Sequence, residues 1–299
     1  MNRDSRAGLM DRLGEISGDF VQEVEVCCDL AHPNLVALLG YATVPGLYLM
    51  QELMEGSSID QQLYTERWRP TQNQVLKIAL DTARGMAYLH TAFQETRGST
   101  REESVDKPII HRDLKSPNLL LRHPPPPRGE DLDARQIVAK ISDVGLSRDK
   151  ELEANTAAGT AMMTGCGSVL WMAPEILLGE KYNEKLDVFS YGMCLVELVH
   201  RNLPWHGSGV AQQQIPMRLT QGKRPEHQIR KAYPIKELIE ECWDTDPHRR
   251  PDFPEVVQRL RKFLDQARSG KLPPERQSTS REIEEGDEEE EDEEIGGAE

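Results

Sequence analysis

Apolar residues recur at helical spacing in the first patterned stretch of the chain: Phe20, Val24, Cys27, Cys28 and Ala31 share one side, and His32-Pro33-Asn34 ends the pattern. This predicts an amphipathic helix over about residues 16–31. Two short apolar runs follow, residues 35–40 and 47–52, separated by Val44-Pro45-Gly46, and they read as two strands joined by a turn. Helical periodicity returns over residues 72–90, 187–200, 235–243 and 254–264. The pattern as a whole predicts an α+β fold that starts with little sheet and continues as a mostly helical unit.

Two polar stretches interrupt this order, residues 94–106 and residues 123–133, the second containing Pro124-Pro125-Pro126-Pro127. Both read as surface insertions. The proline run has the composition of a polyproline ligand for an SH3 or WW domain, and a stiff loop without a partner explains it equally well. From residue 269 onwards the sequence turns Lys-, Pro-, Ser- and Glu-rich, the composition of a disordered acidic tail.

Composition changes the picture in one respect. The net charge of −15 suggests an acidic protein, but residues 282–299 hold twelve acids and no base, so the body is close to neutral. Neither a nucleic-acid surface nor a membrane-binding one is indicated. The five cysteines, Cys27, Cys28, Cys166, Cys194 and Cys242, are odd in number, form no C-x-x-C pair and have no histidine at metal-ligand spacing. A disulfide framework and a zinc site are therefore not expected, and a reducing, cytoplasmic compartment fits. No apolar signal segment opens the chain, and its most apolar run, residues 191–199, is short and broken by Glu197.

Chemistry concentrates in ordered motifs. His111-Arg112-Asp113-Leu114-Lys115-Ser116-Pro117-Asn118 is followed by Ile141-Ser142-Asp143-Val144-Gly145, then by Met172-Ala173-Pro174-Glu175. Further on come Asp187-Val188-Phe189-Ser190-Tyr191-Gly192 and Arg249-Arg250-Pro251. In this order and spacing the sequence resembles a eukaryotic protein kinase over roughly residues 20–265. Lys-Ser-Pro-Asn in the catalytic loop, Trp171-Met172-Ala173-Pro174-Glu175 and Gly56-Ser57-Ser58 are similar to the tyrosine-kinase-like serine/threonine group, which includes Raf-like and mixed-lineage kinases.

The resemblance implies a role for each matching residue. Asp113 would orient the acceptor hydroxyl and take its proton, and Asn118 and Asp143 would hold Mg2+ against the phosphates of ATP. Lys115 looks like the lysine that contacts the transferred phosphate in serine/threonine kinases, with Ser168 joining it to Asp113. Gln51 takes the gatekeeper place, Glu52 to Met54 the hinge, Ser58 a nucleotide-side position and Leu120 the floor beneath adenine. Arg112 would pair with a phosphate on the activation segment, for which Thr156, Thr160 and Thr164 are candidates. Glu175 and Arg250 would form a buried ion pair, and Asp187 would support the catalytic loop. The implied partner is a protein substrate with a Ser or Thr acceptor.

Two departures stand against this pattern. Only Gly8, Gly14 and Gly18 occur before residue 20, and no lysine precedes Lys77. The Gly-rich loop and the ATP-anchoring lysine are therefore not found, Glu23 lacks its expected partner, and the resemblance is to an N-terminally truncated kinase. Val144 replaces the usual Phe after Asp143. The domain reading is an N-terminal extension (1–15), a remnant N-lobe and hinge (16–54), a kinase C-lobe (55–268) and the tail (269–299). Two functional readings stay open: a serine/threonine kinase domain inactive as these 299 residues alone, or a pseudokinase or truncated kinase that serves as a protein-binding scaffold.

Overall fold

The computed structural model describes residues 24, 27, 28, 30–42, 48–91, 108–125, 136–144, 168–229 and 233–271. The architecture is mixed α and β, mostly helical with few strands, as the periodicity predicts. Val24, Cys27 and Cys28 are helical, while Glu23, Pro126, Pro127, Thr156, Thr160, Thr164 and the acidic tail lie outside the described residues.

Strands β1 (Leu38–Ala42) and β2 (Tyr48–Gln51) pair antiparallel, with a bulge between Leu38 and Gly40. The first strand begins three residues later than the apolar run suggests. Leu35 is drawn instead into a parallel bridge with Ile141, and Val36 N–H donates to the Ile141 carbonyl at 2.9 Å. A second antiparallel pair, β3 (Leu119–Leu121) and β4 (Ala139–Ile141), was not visible as periodicity, because three residues are too few to show an alternation.

The core is built around α1 (Gln72–Thr91), whose Val75, Leu76, Ile78, Ala79, Ala83, Met86 and Leu89 are buried. The short α2 (Pro174–Leu177) leads to α3 (Lys185–His200), which is buried from Leu186 to Leu198 on all sides, as a helix with apolar residues around its whole circumference must be. The helix α4 (Ile215–Thr220) packs on α2, and α5 (Lys236–Cys242) packs on α3. The last helix, α6 (Phe253–Arg268), is amphipathic: Phe253, Val256, Val257, Leu260 and Leu264 face inward at three- and four-residue spacing and pack on α1. Pro254 sits in its first turn, where a missing N–H costs nothing. Tyr191 locks the layers together, donating its hydroxyl to the Ala79 carbonyl at 2.9 Å and meeting Phe253 edge to face. No helix among the described residues is long and apolar enough to cross a membrane.

Candidate active site

The site lies where the loop 111–118, the end of β4 and the segment 168–175 meet. The loop is anchored from below by Asp187 in the first turn of α3. This fully buried carboxylate accepts the backbone N–H of His111 at 2.8 Å and of Arg112 at 2.9 Å, and sits 2.9 Å from His90 Nε2. His111, itself buried, lies 2.9 Å from the Ser142 carbonyl and ties the loop to the residue before Asp143. Arg112 and Asp143 both take positive φ, 66° and 57°. Non-glycine residues rarely adopt such angles and cluster in them at functional sites.

Within this frame Lys115 Nζ donates to Asp113 Oδ2 at 2.7 Å and to Ser168 Oγ at 2.9 Å. Three residues separated by up to 55 positions thus form one polar bridge. Asn118 Nδ2 donates to the Asp113 carbonyl at 2.8 Å, which leaves its amide oxygen as a hard ligand. Ser142 N–H donates to the Asn118 carbonyl at 2.9 Å, and Leu119 pairs with Ile141, so Asn118 and Asp143 stand at adjacent ends of one ladder. Asp143 is exposed. An uncommitted amide oxygen beside an exposed carboxylate is a donor set that suits Mg2+.

Glu52 follows directly on β2. Its backbone N–H donates to the Ala37 carbonyl at 3.0 Å, while its carboxylate accepts from Ala37 N–H and from Lys140 Nζ. Partial burial raises its pKa, but the Lys140 ammonium and the Ala37 N–H outweigh that and hold it below the usual carboxylate range. The side chain is therefore held as a structural clamp between Ala37 and Lys140. Among the described residues neither the Glu52 carbonyl nor the Met54 N–H has a hydrogen-bond partner. Ser58 and Leu120 meet through an antiparallel bridge, with Leu120 half-exposed between the buried Leu119 and Leu121. The segment after Met54 approaches β3 closely because residue 56 is glycine: a Cβ there would lie 2.3 Å from the His123 carbonyl oxygen.

A pocket opens beside Asp113, lined by Leu114, Trp171, Met172, Ile176 and Tyr182 among others. The Arg112 guanidinium stacks over the Tyr182 ring at 5.6 Å. Behind the pocket Arg250 and Glu175 form a buried bidentate pair at 2.6 and 2.8 Å, with the guanidinium also donating to the carbonyls of Asp244 and Lys185. Val144 is buried.

Sequence reasoning missed three residues of this frame. Asn34, read only as a helix terminator, donates its amide to the Ala139 carbonyl at 2.9 Å and accepts Ile141 N–H at 3.0 Å, fixing β4. Lys140 is a lysine inside an apolar strand. Glu197 is a lone acid inside the most apolar run of the chain. In the last two, a charge set among apolar residues was the available signal.

Comparison with known proteins extends the picture. A family profile described as protein tyrosine and serine/threonine kinase matches residues 13–260. The dual specificity protein kinase splA of Dictyostelium discoideum is 36% identical over 259 residues, covering 83% of this chain and 10% of that protein. The probable serine/threonine-protein kinase SIS8 of Arabidopsis thaliana is 33% identical over 273 residues, 88% of this chain and 23% of that one. Mitogen-activated protein kinase kinase kinase 11 of Rattus norvegicus is 34% identical over 247 residues, 80% and 25% respectively. The chain thus spans a quarter or less of the length of these relatives.

Proposed function

Since the chain belongs to the protein tyrosine and serine/threonine kinase family, we propose that its site serves transfer of the γ-phosphoryl group of ATP to serine or threonine hydroxyls of protein substrates. The observation that carries this reading is the Lys115 bridge between Asp113 and Ser168. It sets a carboxylate, which can accept the hydroxyl proton, beside an ammonium, which can face the phosphoryl oxygens. The names of the Arabidopsis relative and of others like it, as serine/threonine kinases, support the same acceptor class.

Adenine would lie on Leu120 and use the Glu52 carbonyl and the Met54 N–H, with the ribose towards Ser58. Asn118 Oδ1 and Asp143 would hold Mg2+, which when bound offsets phosphate charge. Asp113 orients the acceptor, and the apolar pocket beside it receives the neighbouring part of the substrate chain.

The donor side is less complete. Residues 1–299 contain no lysine before Lys77 and no Gly-rich loop motif before Glu23. Preorganised donors of this kind are worth roughly 3 kcal/mol each in transition-state stabilisation. On this reading the 299 residues alone show negligible phosphotransfer. The test places the first three strands of a tyrosine-kinase-like relative ahead of Glu23. Ser/Thr phosphorylation of a generic peptide is expected from that strand-completed chain, and Asp113→Asn abolishes it. Robust Asp113-dependent phosphorylation by residues 1–299 would overturn the inactivity. A strand-completed chain that folds and binds ATP yet transfers nothing would favour a binding scaffold.

A further inference from the structure

Glu197 is the one charged residue of the run 191–199, and in α3 it is fully buried. An uncompensated buried charge is costly, and such a group is ordinarily replaced or paired. Among the described residues no lysine or arginine pairs with the Glu197 carboxylate. Three neutral donors from three separate segments converge on it instead. The hydroxyl of Tyr64, from the π-helical turn Gln61–Thr65, and the hydroxyl of Ser116, from the catalytic loop, both donate to Oε1. The indole Nε1 of Trp171 donates to Oε2 at 3.0 Å.

Each donor sits at a telling place. Ser116 directly follows Lys115 and lies two residues before Asn118. Trp171 lines the acceptor pocket, and its carbonyl is held again from α3 by Ser190 Oγ at 2.8 Å. Tyr64 belongs to the turn that follows the segment bridged to Leu120. We propose that Glu197 is a positioning residue of the site, a single acceptor through which the catalytic loop, the wall of the acceptor pocket and the post-hinge turn are held as one unit. Its catalytic consequence rests on the kinase reading; the coupling itself does not.

The chemistry of the acceptor makes the coupling observable. Burial pushes the Glu197 carboxyl up to about 7, with the three hydrogen bonds pulling the other way. The ionisable groups that face it are Tyr64 and Asp60 on the post-hinge side and Cys194 on its own helix. Burial holds the Tyr64 phenol and the Cys194 thiol up, so both stay neutral near pH 7. The catalytic loop presents Ser116 and the pocket wall presents Trp171. When Glu197 takes a proton, a hydroxyl can reverse and accept it, but an indole N–H can only donate. Protonation is therefore felt at Trp171 and Ser116 together.

The experiment follows the Trp171 indole N–H and the Ser116 backbone amide by NMR in the 15N-labelled 299-residue chain, from about pH 5.5 to about 8.5. The indole signal is assigned by its loss in Trp171→Phe. Both signals are expected to move with a common midpoint near 7. Tyr64→Phe deletes one hydrogen bond to the carboxylate without touching either reporter, and should displace both midpoints upward together. Glu197→Gln should remove both transitions, and Tyr64→Phe keeps the test decisive if that variant does not fold. Unequal midpoints, a shift of one reporter alone in Tyr64→Phe, or transitions that persist in Glu197→Gln would overturn the proposal. Neither reporter depends on phosphotransfer, so a failed kinase assay and a failed coupling remain separate results.

Discussion

Glu175 and Arg250 show how much one pair of side chains can carry. Both are buried, and the guanidinium fork meets the carboxylate with two parallel bonds while Phe189 stacks against its face at 5.1 Å. Removing one partner leaves a buried charge alone, so Glu175→Ala is expected to lose about 3–5 kcal/mol in urea unfolding. Replacing both by apolar residues of similar volume, as in Glu175→Leu with Arg250→Met, should cost much less than the single change. A single variant as stable as the parent chain would contradict the argument. On the proposed kinase reading the stakes at the loop 111–118 are kinetic: Ser168→Ala removes one hydrogen bond to the Lys115 ammonium, a charge-assisted bond of about 1.5–3 kcal/mol. In the strand-completed chain the phosphorylation rate should fall at least about tenfold, with Ser168→Thr retaining most of it. Equal loss in both variants would place the role of residue 168 elsewhere.

Elements set the depth at which such residues work. Glu197 lies deep because α3 is buried on every side, and burial there carries a pH signature. A carboxyl raised from 4.5 to about 7 on folding is protonated in the folded state where the unfolded chain has already lost the proton. Its contribution to stability therefore falls as pH rises from about 4.5 to about 7, by a total of about 3 kcal/mol, and stays lost above that. The stability difference between parent and Glu197→Gln, measured by urea unfolding across this window, should change with this sign; a constant difference would refute it. The contact between the segment after Met54 and β3 depends on a missing side chain at Gly56. A Cβ there meets the backbone of His123 and the Leu121 Cβ at 2.6 Å, so Gly56→Ala should destabilise by about 1–3 kcal/mol and weaken binding of a non-hydrolysable ATP analogue. Unchanged melting and unchanged affinity would show that the two segments can separate freely.

Over the whole molecule stability is unevenly spread. The pair β1–β2 has no third strand among the described residues, and Leu39, Tyr48 and Met50 are more than half exposed. Two strands alone are marginal in water, whereas α1, α3 and α6 share one core. Hydrogen exchange should therefore be slowest in α3 and the middle of α1, and orders of magnitude faster in β1 and β2. Equal protection in both regions would mean that the sheet belongs to the same cooperative unit as the helices. A charged clamp crosses between these regions: Lys140 of β4 binds Glu52, the residue after β2.

The sequence by itself determined the long helices α1, α3 and α6, because each is long enough for apolar spacing to repeat, whereas the short α2 and α4 were not legible in it. It also determined the family, whose resemblance the profile and the relatives bear out, because Asp113, Asn118 and Asp143 sit in contiguous motifs. Strands β3 and β4 were beyond its reach, being three residues each and defined by who pairs with whom. So were the partners of Glu197 and Lys140. A charge inside an apolar run shows in the sequence that something must satisfy it, but the partners come from positions 26 to 133 residues away in the chain. Local patterns record the neighbours a residue has along the chain, whereas a hydrogen bond between distant segments exists only once packing has brought them within about 3 Å, and that the tertiary structure alone decided.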